Sequence, residues 1–288
     1  MKKLVIAYDG TDQSKDALAL GAQLAKAEGA ELHLAVVLFD DSPDTQQEHF
    51  NALFAKARTE LDGEGFVEHP LREIDAADAL HKLAEKIEPD VIVLGSTHRG
   101  KLGQIMLGGV GERLLDGAPC SVAVAPRGYA EREHFGAGVI GVGYDDTAES
   151  KLALQAAVEL ARVVGGSLRL IAVVPHFLTP GRIGGTDVGY SRVVREDLEA
   201  ALEDAARSID GVEVETVIEE GDVVDELANQ AVELDLLVVG SRGYGPIRRV
   251  LLDGVSTAMT RTSPCPLLVT PRSSKAREER SSSTAIGV

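Results

Sequence analysis

The sequence is poor in aromatic residues, cysteine and long apolar runs, and each shortage narrows the classes of protein to consider. Aromatic residues make up 4% of the 288 residues and tryptophan is missing, whereas 44% are hydrophobic. We therefore expect cores built from alanine, valine, leucine and isoleucine. No apolar run approaches the roughly 20 residues that a membrane helix needs. The run from Leu4 to Ala7 is stopped by Asp9 and is too short for a signal peptide, so we predict a cytoplasmic protein with no membrane partner.

Basic residues are also scarce. The chain has 29 Lys and Arg against 46 Asp and Glu, a formal net charge of −17. Sequence-independent binding to nucleic acid or to anionic lipid needs clustered positive charge. We therefore predict no nucleic-acid partner and interpret the acidity as a source of solubility.

Reactive side chains give no sign of an enzyme. The two cysteines, Cys120 and Cys265, each open a predicted buried strand, so we expect reduced thiols rather than a disulfide. The seven histidines show no metal-ligand spacing such as HExxH, and there is no GxSxG nucleophile motif. We predict neither catalytic residues nor a metal site made by side chains.

What the sequence does contain is a duplication. The stretch VIVLGSTHRGKLGQIMLGGV, residues 91–110, aligns without a gap with LLVVGSRGYGPIRRVLLDGV, residues 236–255. YDG at residues 8–10 matches YDD at 144–146, and APC at 118–120 matches SPC at 263–265. We predict two domains, residues 1–127 and 137–272, joined by a polar linker at 128–136 and followed by a disordered tail at 273–288.

Each half alternates short apolar runs with helical patterns in the order β-α-β-α-β-α-β-α-β, which predicts a parallel sheet covered on both faces. The predicted fold class is α/β, with two tandem flavodoxin-like or Rossmann-like domains, each a five-stranded parallel sheet with helices on both faces. The last strands, predicted at Ser121–Ala125 and Leu267–Thr270, are edge strands that could pair across the halves or with a second chain. Other predicted bounds used below are a first helix from Thr11 or Asp12 to Gly29, helices at Gln46–Leu61, Asp78–Glu88 and Val193–Ile209, and an edge strand at Phe66–Ile74.

In each half a buried strand is followed by a glycine-rich turn and a helix. This arrangement aims backbone N–H groups at a phosphate. Ligands of doubly wound sheets bind beyond the carboxyl ends of the strands, where the strand order reverses. If the strands ending at Asp9 and Gly95 are neighbours, the two residues meet there, and the carboxylate suits a ribose hydroxyl or an adenine amine. The alternative is that Asp9 only caps a helix or fixes a turn.

In these motifs the chain resembles the universal stress protein family in its tandem two-domain form, over both predicted domains. The resemblance implies a stress-response protein that binds ATP or AMP, with or without Mg²⁺, whose halves form a pseudo-dimer and whose chains form homodimers. In the family's pattern Asp9 and Asp145 face the base and ribose, Val36 and Val173 line the adenine, and the loop glycines cradle phosphate. The nucleotide-binding residues implied in this way are Ala7, Tyr8, Asp9, Val36, Gly95, Thr97, His98, Arg99, Gly108, Gly109 and Val110 in the first half, and Gly143, Asp145, Val173, Gly240, Arg242, Gly243, Gly254 and Val255 in the second.

Both loops depart from the G-x2-G-x9-G-[ST] form of family members that bind ATP. In the first, His98 replaces the second glycine and the loop ends in Gly108-Gly109; in the second, Asp253 precedes the last glycine. A carboxylate at Asp253 would repel a triphosphate unless it turns outward or holds Mg²⁺, although nearby arginines such as Arg242 could offset it. We therefore favour the first site.

Two other interpretations stay open. Drift of both loops favours an interaction scaffold that has lost nucleotide binding. Slow ATP hydrolysis is the second, and GSTHRGKL at residues 95–102 almost matches the phosphate-binding motif GxxxxGK[ST]. It fails at Leu102, which cannot ligate Mg²⁺.

Overall fold

The computed structural model describes residues 1–39, 43–97, 102–132, 138–175, 187–241 and 254–271. The first half contains β1 (Lys3–Ala7), α1 (Asp12–Glu28), β2 (Glu31–Leu38), α2 (Pro43–Glu60), β3 (Val67–Arg72), α3 (Ala76–Ile87), β4 (Val91–Gly95), α4 (Gly109–Leu115), β5 (Ser121–Ala125) and a short 3-10 helix (Tyr129–Glu131). The second contains β6 (Val139–Gly143), α5 (Ala148–Val164), β7 (Ser167–Pro175), α6 (Asp187–Arg207), β8 (Val214–Gly221), α7 (Val223–Ala231), β9 (Leu236–Gly240), α8 (Val255–Thr262) and β10 (Leu267–Thr270).

Helix α1 shows why the repeated sequence gives repeated structure. Thr11 is its N-cap, and its side-chain oxygen accepts a hydrogen bond from the N–H of Ser14 at 3.3 Å. The helix ends at Gly29, whose φ of 63° lies in the left-handed region that glycine adopts at little cost. Thr147 and Gly165 occupy the same two places around α5. The predicted start and end of α1 are confirmed.

Three helices begin earlier than predicted. Helix α2 starts at Pro43, since proline suits the first helical position, where no N–H is needed. Helix α3 starts after Asp75, whose carboxylate accepts hydrogen bonds from the N–H groups of Ala77 and Asp78 at 2.9 and 3.3 Å. Helix α6 starts at Asp187, in a stretch where glycine and polar residues obscure the apolar period.

The ten strands form one sheet in the order β3-β2-β1-β4-β5-β10-β9-β6-β7-β8. Strands within each half are parallel, so the predicted pair of five-stranded parallel sheets is confirmed. β5 and β10 pair antiparallel, with Leu268 opposite Ala123. The two predicted edge strands therefore pair across the halves, while β3 lies at an outer edge as expected.

The core is mostly aliphatic, with a few buried aromatic residues such as Phe50 in one layer, and its two layers run through both halves. Cys120 and Cys265 are buried in one layer and form no disulfide, which confirms the prediction of two thiols. Burial raises the pKa of Cys265 to about 12, so this thiol stays protonated at neutral pH. Within the described ranges, no helix has the length and apolarity required to cross a membrane.

The start of the predicted linker is held against α1. Asp16, only 3% exposed, accepts hydrogen bonds from the N–H groups of Gly128 and Ala130, both at 2.8 Å. Tyr129 between them is buried. The position that matches Asp16 in α5 is Leu152, which cannot accept such bonds. The rest of the predicted linker, residues 133–136, and the predicted tail lie outside the described residues.

A pair of histidines joins β2 to the edge strand β3. His33 Nδ1 and His69 Nε2 lie 2.8 Å apart, and Nε2 of His33 lies 3.1 Å from a carboxylate oxygen of Glu31. Burial, then the nearby charges of His33 and Lys86, lower the pKa of His69. One of these two nitrogens must donate and the other accept, so the contact cannot be kept when both rings are protonated. In the second half the place of His33 is taken by Arg169, which is ion-paired.

We expect acid to weaken this edge of the sheet. The pKa of His69 is lower in the folded chain than its ordinary value of 6.5, so the unfolded chain binds more protons as the pH falls through that window. The contribution of neutral His69 to the free energy of unfolding is complete above about pH 6.5. It declines as the pH falls towards the lower pKa that His69 has in the folded chain. His69→Gln should therefore flatten the dependence of the unfolding free energy on pH between about pH 7 and pH 5, measured by urea unfolding at each pH. The exposed His49→Gln should keep the wild-type slope, and an unchanged slope in His69→Gln would contradict the assignment.

Candidate functional site

The strand order reverses once in each half, and we call the space beyond the carboxyl ends of the strands at each reversal a crevice. In the first half the strand order reverses between β1 and β4, which is where ligands of such sheets bind. β1 and β4 are parallel neighbours, as the prediction of a shared crevice for Asp9 and Gly95 requires. Asp145 and Gly240 take the corresponding places beyond β6 and β9.

Asp9 fixes a tight turn at the first crevice. Its Oδ1 accepts hydrogen bonds from the N–H and the hydroxyl of Thr11, at 3.0 and 2.6 Å. Asp9 is exposed, and within the described part of the chain its Oδ2 accepts no hydrogen bond. Asp145 makes the same two bonds with Thr147, at 3.3 and 2.6 Å. The turn role left open by the sequence is therefore present, and it engages only one carboxylate oxygen of Asp9.

Gly95 and Gly240 have a packing role that the sequence analysis did not predict. A Cβ atom on Gly95 would overlap the carbonyl oxygen of Gln13 in the first turn of α1. One on Gly240 would lie 2.6 Å from the carbonyl oxygen of Glu149 in α5. The absence of a side chain lets the start of each helix pass directly over the end of the strand.

The first glycine loop closes beside the strand that it leaves. The N–H of Thr97 donates to the carbonyl oxygen of Met106 at 2.7 Å, and a Cβ on Gly108 would lie 2.6 Å from the methyl carbon of Thr97. Gly108 is the N-cap of α4 and provides no side-chain capping bond. A Cβ on Gly109 would meet no atom within 4 Å, and Val110 is 40% exposed. The first N–H groups of α4 thus lack a side-chain cap, and a ligand can approach this backbone closely.

Helix α8 begins in the same way in the second half. Its N-cap Gly254 has φ 66° and ψ −128° and makes no side-chain capping bond, and a Cβ there would meet nothing within 4 Å. Val255, the first helical residue, is half-buried. The backbone at this position requires glycine, so the glycine here has a conformational reason as well as a possible role in binding.

Several predicted site residues cannot be placed. Those that lie outside the described residues are His98, Arg99, Arg242, Gly243 and Asp253. Their roles stay predictions. Within the described ranges, no group of three His, Cys, Asp or Glu side chains could hold a metal ion.

The strand residues predicted to line the adenine need a correction. Val173 is half-buried near the end of β7, whereas Val36 is 0% exposed and belongs to the core. Counted from Ala7 and Gly143, which are both half-buried at equivalent strand ends, the counterpart of Val173 is the half-buried Val37. Successive residues of a strand point to opposite faces of the sheet, so the prediction of Val36 is wrong by one residue.

The side chain of Tyr8 belongs to the core rather than to the crevice. It is 2% exposed, and its hydroxyl donates to Glu60 at 2.8 Å. Burial, followed by the hydrogen bond to Glu60, raises the pKa of Tyr8 well above its usual range. Tyr144 donates similarly to Asp146 at 3.0 Å, and burial raises the pKa of Tyr144 to about 12. Both remain protonated donors, so only the backbone of Tyr8 borders the crevice.

The sequence analysis missed three basic residues around the first crevice. Lys56 Nζ donates to the carbonyl oxygen of Gly10 at 2.5 Å. Arg113 Nε donates to the carbonyl oxygen of Gly109 at 3.2 Å, and Arg261 reaches α4 from the second half. Arg113 belongs to α4 and contacts Gly109 one helical turn earlier. Lys56 and Arg261 come from other elements, and no motif or spacing links those two to this site, since tertiary packing brings them there.

Comparisons with known proteins agree with the two-part architecture. The model of the Universal stress protein family matches the chain twice, over residues 1–126 and 137–271. Universal stress protein Rv2319c of Mycobacterium tuberculosis is 27% identical over 204 residues, an alignment that covers 66% of this chain and 66% of that relative. Universal stress protein YxiE of Bacillus subtilis is 33% identical over 150 residues, covering 44% of this chain and 95% of YxiE.

Solved structures share the fold over nearly the whole chain. A universal stress protein from Archaeoglobus fulgidus has a TM-score of 0.64 at 21% identity, covering 94% of this chain and 98% of that one. A putative universal stress protein from Pseudomonas aeruginosa has a TM-score of 0.66 at 17% identity, covering 98% of each chain. With a family-model match on each half, and the same strand order in both, the chain belongs to the universal stress protein family.

Proposed function

We propose that this universal stress protein binds an adenine nucleotide, ATP or AMP, in the first crevice and acts in a stress response through its bound state. The observation that carries the proposal is that Asp9 and the uncapped start of α4 flank the same reversal of strand order, between β1 and β4. A ribose hydroxyl can donate to Oδ2 of Asp9. The N–H groups at the start of α4 suit a phosphate, and Val37 offers an apolar surface for the base.

The local charges are compatible with an anionic ligand despite the net charge of −17. At physiological ionic strength, charges separated by more than about 8 Å are largely screened. The charges that matter are therefore those beside the crevice, where Lys56 and Arg113 contact the backbone at Gly10 and Gly109. Arg113 is also paired with Asp75 at 2.6 Å, so Lys56 is the main local source of positive charge. These contacts support placing the phosphates towards α4, where the glycines leave the backbone open.

Asp9→Ala should weaken binding of ATP and of AMP at the first site by roughly 10- to 100-fold, because a hydrogen bond to a charged carboxylate is lost. Isothermal titration calorimetry with and without Mg²⁺ measures the effect, in an Asp145→Ala background that disables the second crevice. Mass spectrometry of small molecules released from purified protein shows which nucleotide the chain retains.

The matched control is Asp210→Ala, which removes an exposed carboxylate between α6 and β8, at the opposite edge of the sheet. It should bind as the wild type does. No binding heat and no thermal shift with millimolar ATP and Mg²⁺ would refute the proposal. ADP released in the same samples measures any slow hydrolysis.

The scaffold interpretation has one observation in its favour. Asp9 and Asp145 already have a turn-fixing role through Thr11 and Thr147, so their presence alone does not require a ligand. Asp9→Asn separates the two roles, because the amide oxygen can still accept the turn bonds while the charge is lost. Nucleotide binding that falls in Asp9→Asn while stability is kept would favour the binder.

Homodimer formation and a cytoplasmic location stay predictions. β5 and β10 pair with each other inside the chain, so a homodimer needs another surface, for which the outer strands β3 and β8 are available. We infer that any dimer of this chain forms without the β5–β10 contact, which each chain already makes internally. Light scattering measures whether such a dimer exists.

A further inference from the structure

The first glycine loop is attached to the second half through its backbone. We call residues 103–107 the strap. The N–H of Ile105 donates to the carbonyl oxygen of Ser263 at 2.9 Å, and the N–H of Leu107 donates to that of Thr260 at 3.1 Å. Both acceptors lie at the carboxyl end of α8, where the last carbonyl groups have no partner within the helix. The strap of one half therefore caps a helix of the other.

The opposite side of the strap is bonded to the first crevice. The N–H of Met106 donates to Oγ of Ser96 at 2.7 Å, and its carbonyl oxygen accepts from the N–H of Thr97 at 2.7 Å. Alternate residues of the strap thus face the end of β4 and the end of α8. Ile105 and Leu107 are 0% and 6% exposed and share a core layer with Met259 of α8. The strap is an ordered part of both halves.

An ion pair between side chains also joins α8 to α4. Arg261 of α8 donates to Oε1 of Glu112 from Nε at 3.2 Å and from Nη2 at 2.8 Å. Glu112 lies in the first turn of α4, next to the backbone that would receive phosphate. An unpaired carboxylate there would repel the phosphate, so Arg261 removes an unfavourable charge from a site in the other half.

We propose that the carboxyl end of α8, with Arg261, is a positioning element for the first nucleotide site, so that a nucleotide bound there orders α8 in the second half. The inference rests on the proposed nucleotide binding. The strap runs directly into Gly108 and Gly109, so a ligand that fixes these glycines also fixes the donors that cap α8. Thermodynamic linkage is reciprocal. A change that loosens α8 must therefore weaken nucleotide binding by the same factor by which the nucleotide stabilises α8.

Hydrogen exchange measures the effect on α8 directly. In the Asp145→Ala background, saturating ATP should slow exchange of the amides at residues 259–265 by about 5-fold or more, the lower end of usual coupling energies. In an Asp9→Ala/Asp145→Ala double variant the same ATP concentration should slow exchange in this segment less, in proportion to the lower occupancy of the first site. This second variant excludes direct binding at the start of α8 as the cause.

Calorimetry on the same background tests Arg261. Arg261→Ala should lower the affinity for ATP about 2- to 5-fold, as expected for a partly exposed ion pair. Adding Glu112→Gln to this variant should restore most of the lost affinity. Arg207→Ala, which removes an exposed, ion-paired arginine of α6, should have no effect. Rescue by Glu112→Gln is specific, because a general loss of packing at α8 would not be repaired by neutralising α4.

Two results would overturn the inference while leaving the proposed function intact. One is nucleotide binding with slowed exchange confined to residues 1–126, and the other is unchanged affinity in Arg261→Ala. A wild-type chain that binds no nucleotide would overturn both the inference and the proposed function.

Discussion

Replacing Gly95 with alanine should lower the free energy of unfolding by about 3–4 kcal/mol, at the upper end of what overpacking costs. The new methyl group would overlap the backbone carbonyl of Gln13. A backbone atom cannot rotate away as a side chain does, so α1 as a whole would have to move off the sheet. Urea unfolding followed by circular dichroism measures the change.

Two other glycines calibrate this result. Gly240→Ala should cost less, about 2 kcal/mol, because its Cβ would stop 2.6 Å from the corresponding carbonyl oxygen of Glu149. Gly109→Ala should stay within about 0.5 kcal/mol of the wild type, since nothing lies within 4 Å of the added atom. Wild-type stability in Gly95→Ala would contradict the packing role of this glycine.

Asp16→Ala should destabilise the chain by about 3 kcal/mol, because it leaves the N–H groups of Gly128 and Ala130 without the carboxylate that accepts their hydrogen bonds. The buried Tyr129 between them should become accessible. Urea unfolding gives the free energy, and limited proteolysis followed by mass spectrometry locates new cleavage near this segment.

Asp16→Asn should fall between wild type and alanine, because the amide has one oxygen to accept the two bonds. Asp12→Ala is the matched control, since Asp12 is an exposed aspartate in the first turn of the same helix. Its unfolding midpoint should stay close to that of the wild type. Equal effects of the two alanine variants would mean that the hydrogen bonds donated to Asp16 do not hold the linker.

The parts of the fold set by local sequence were predictable. β5 and β10 were predicted to the residue because each is a short apolar run bounded by a proline-containing turn. The start of α1 was predicted to within one residue, at Thr11 or Asp12, because both residue types are favoured as N-caps before an amphipathic run. The alternation of strands and helices predicted a parallel sheet, but it left open whether the strands ending at Asp9 and Gly95 are neighbours.

The site was less predictable, because it depends on pairing register and on distant contacts. Choosing Val36 instead of Val37 is an error of one residue, yet in a strand it exchanges a crevice position for a core position. The glycine at residue 95 suggested a ligand, whereas its nearest neighbour is the backbone of α1. Arg261 reaches Glu112 across 149 positions of sequence, and no local pattern encodes that contact.

The antiparallel junction of β5 and β10 within one chain has a consequence for evolution. In a dimer of identical chains, every substitution appears at both sites at once. Here the halves are joined covalently, so each can accumulate its own changes while the partner is always present. Glu112 of α4 pairs with Arg261 of α8. In the reciprocal position, Thr257 corresponds to Glu112 and Asp116 to Arg261, so the ion pair is not repeated there. Because the two halves lie in one chain, the two crevices can change in sequence independently. Selection can therefore preserve one crevice while the other diverges.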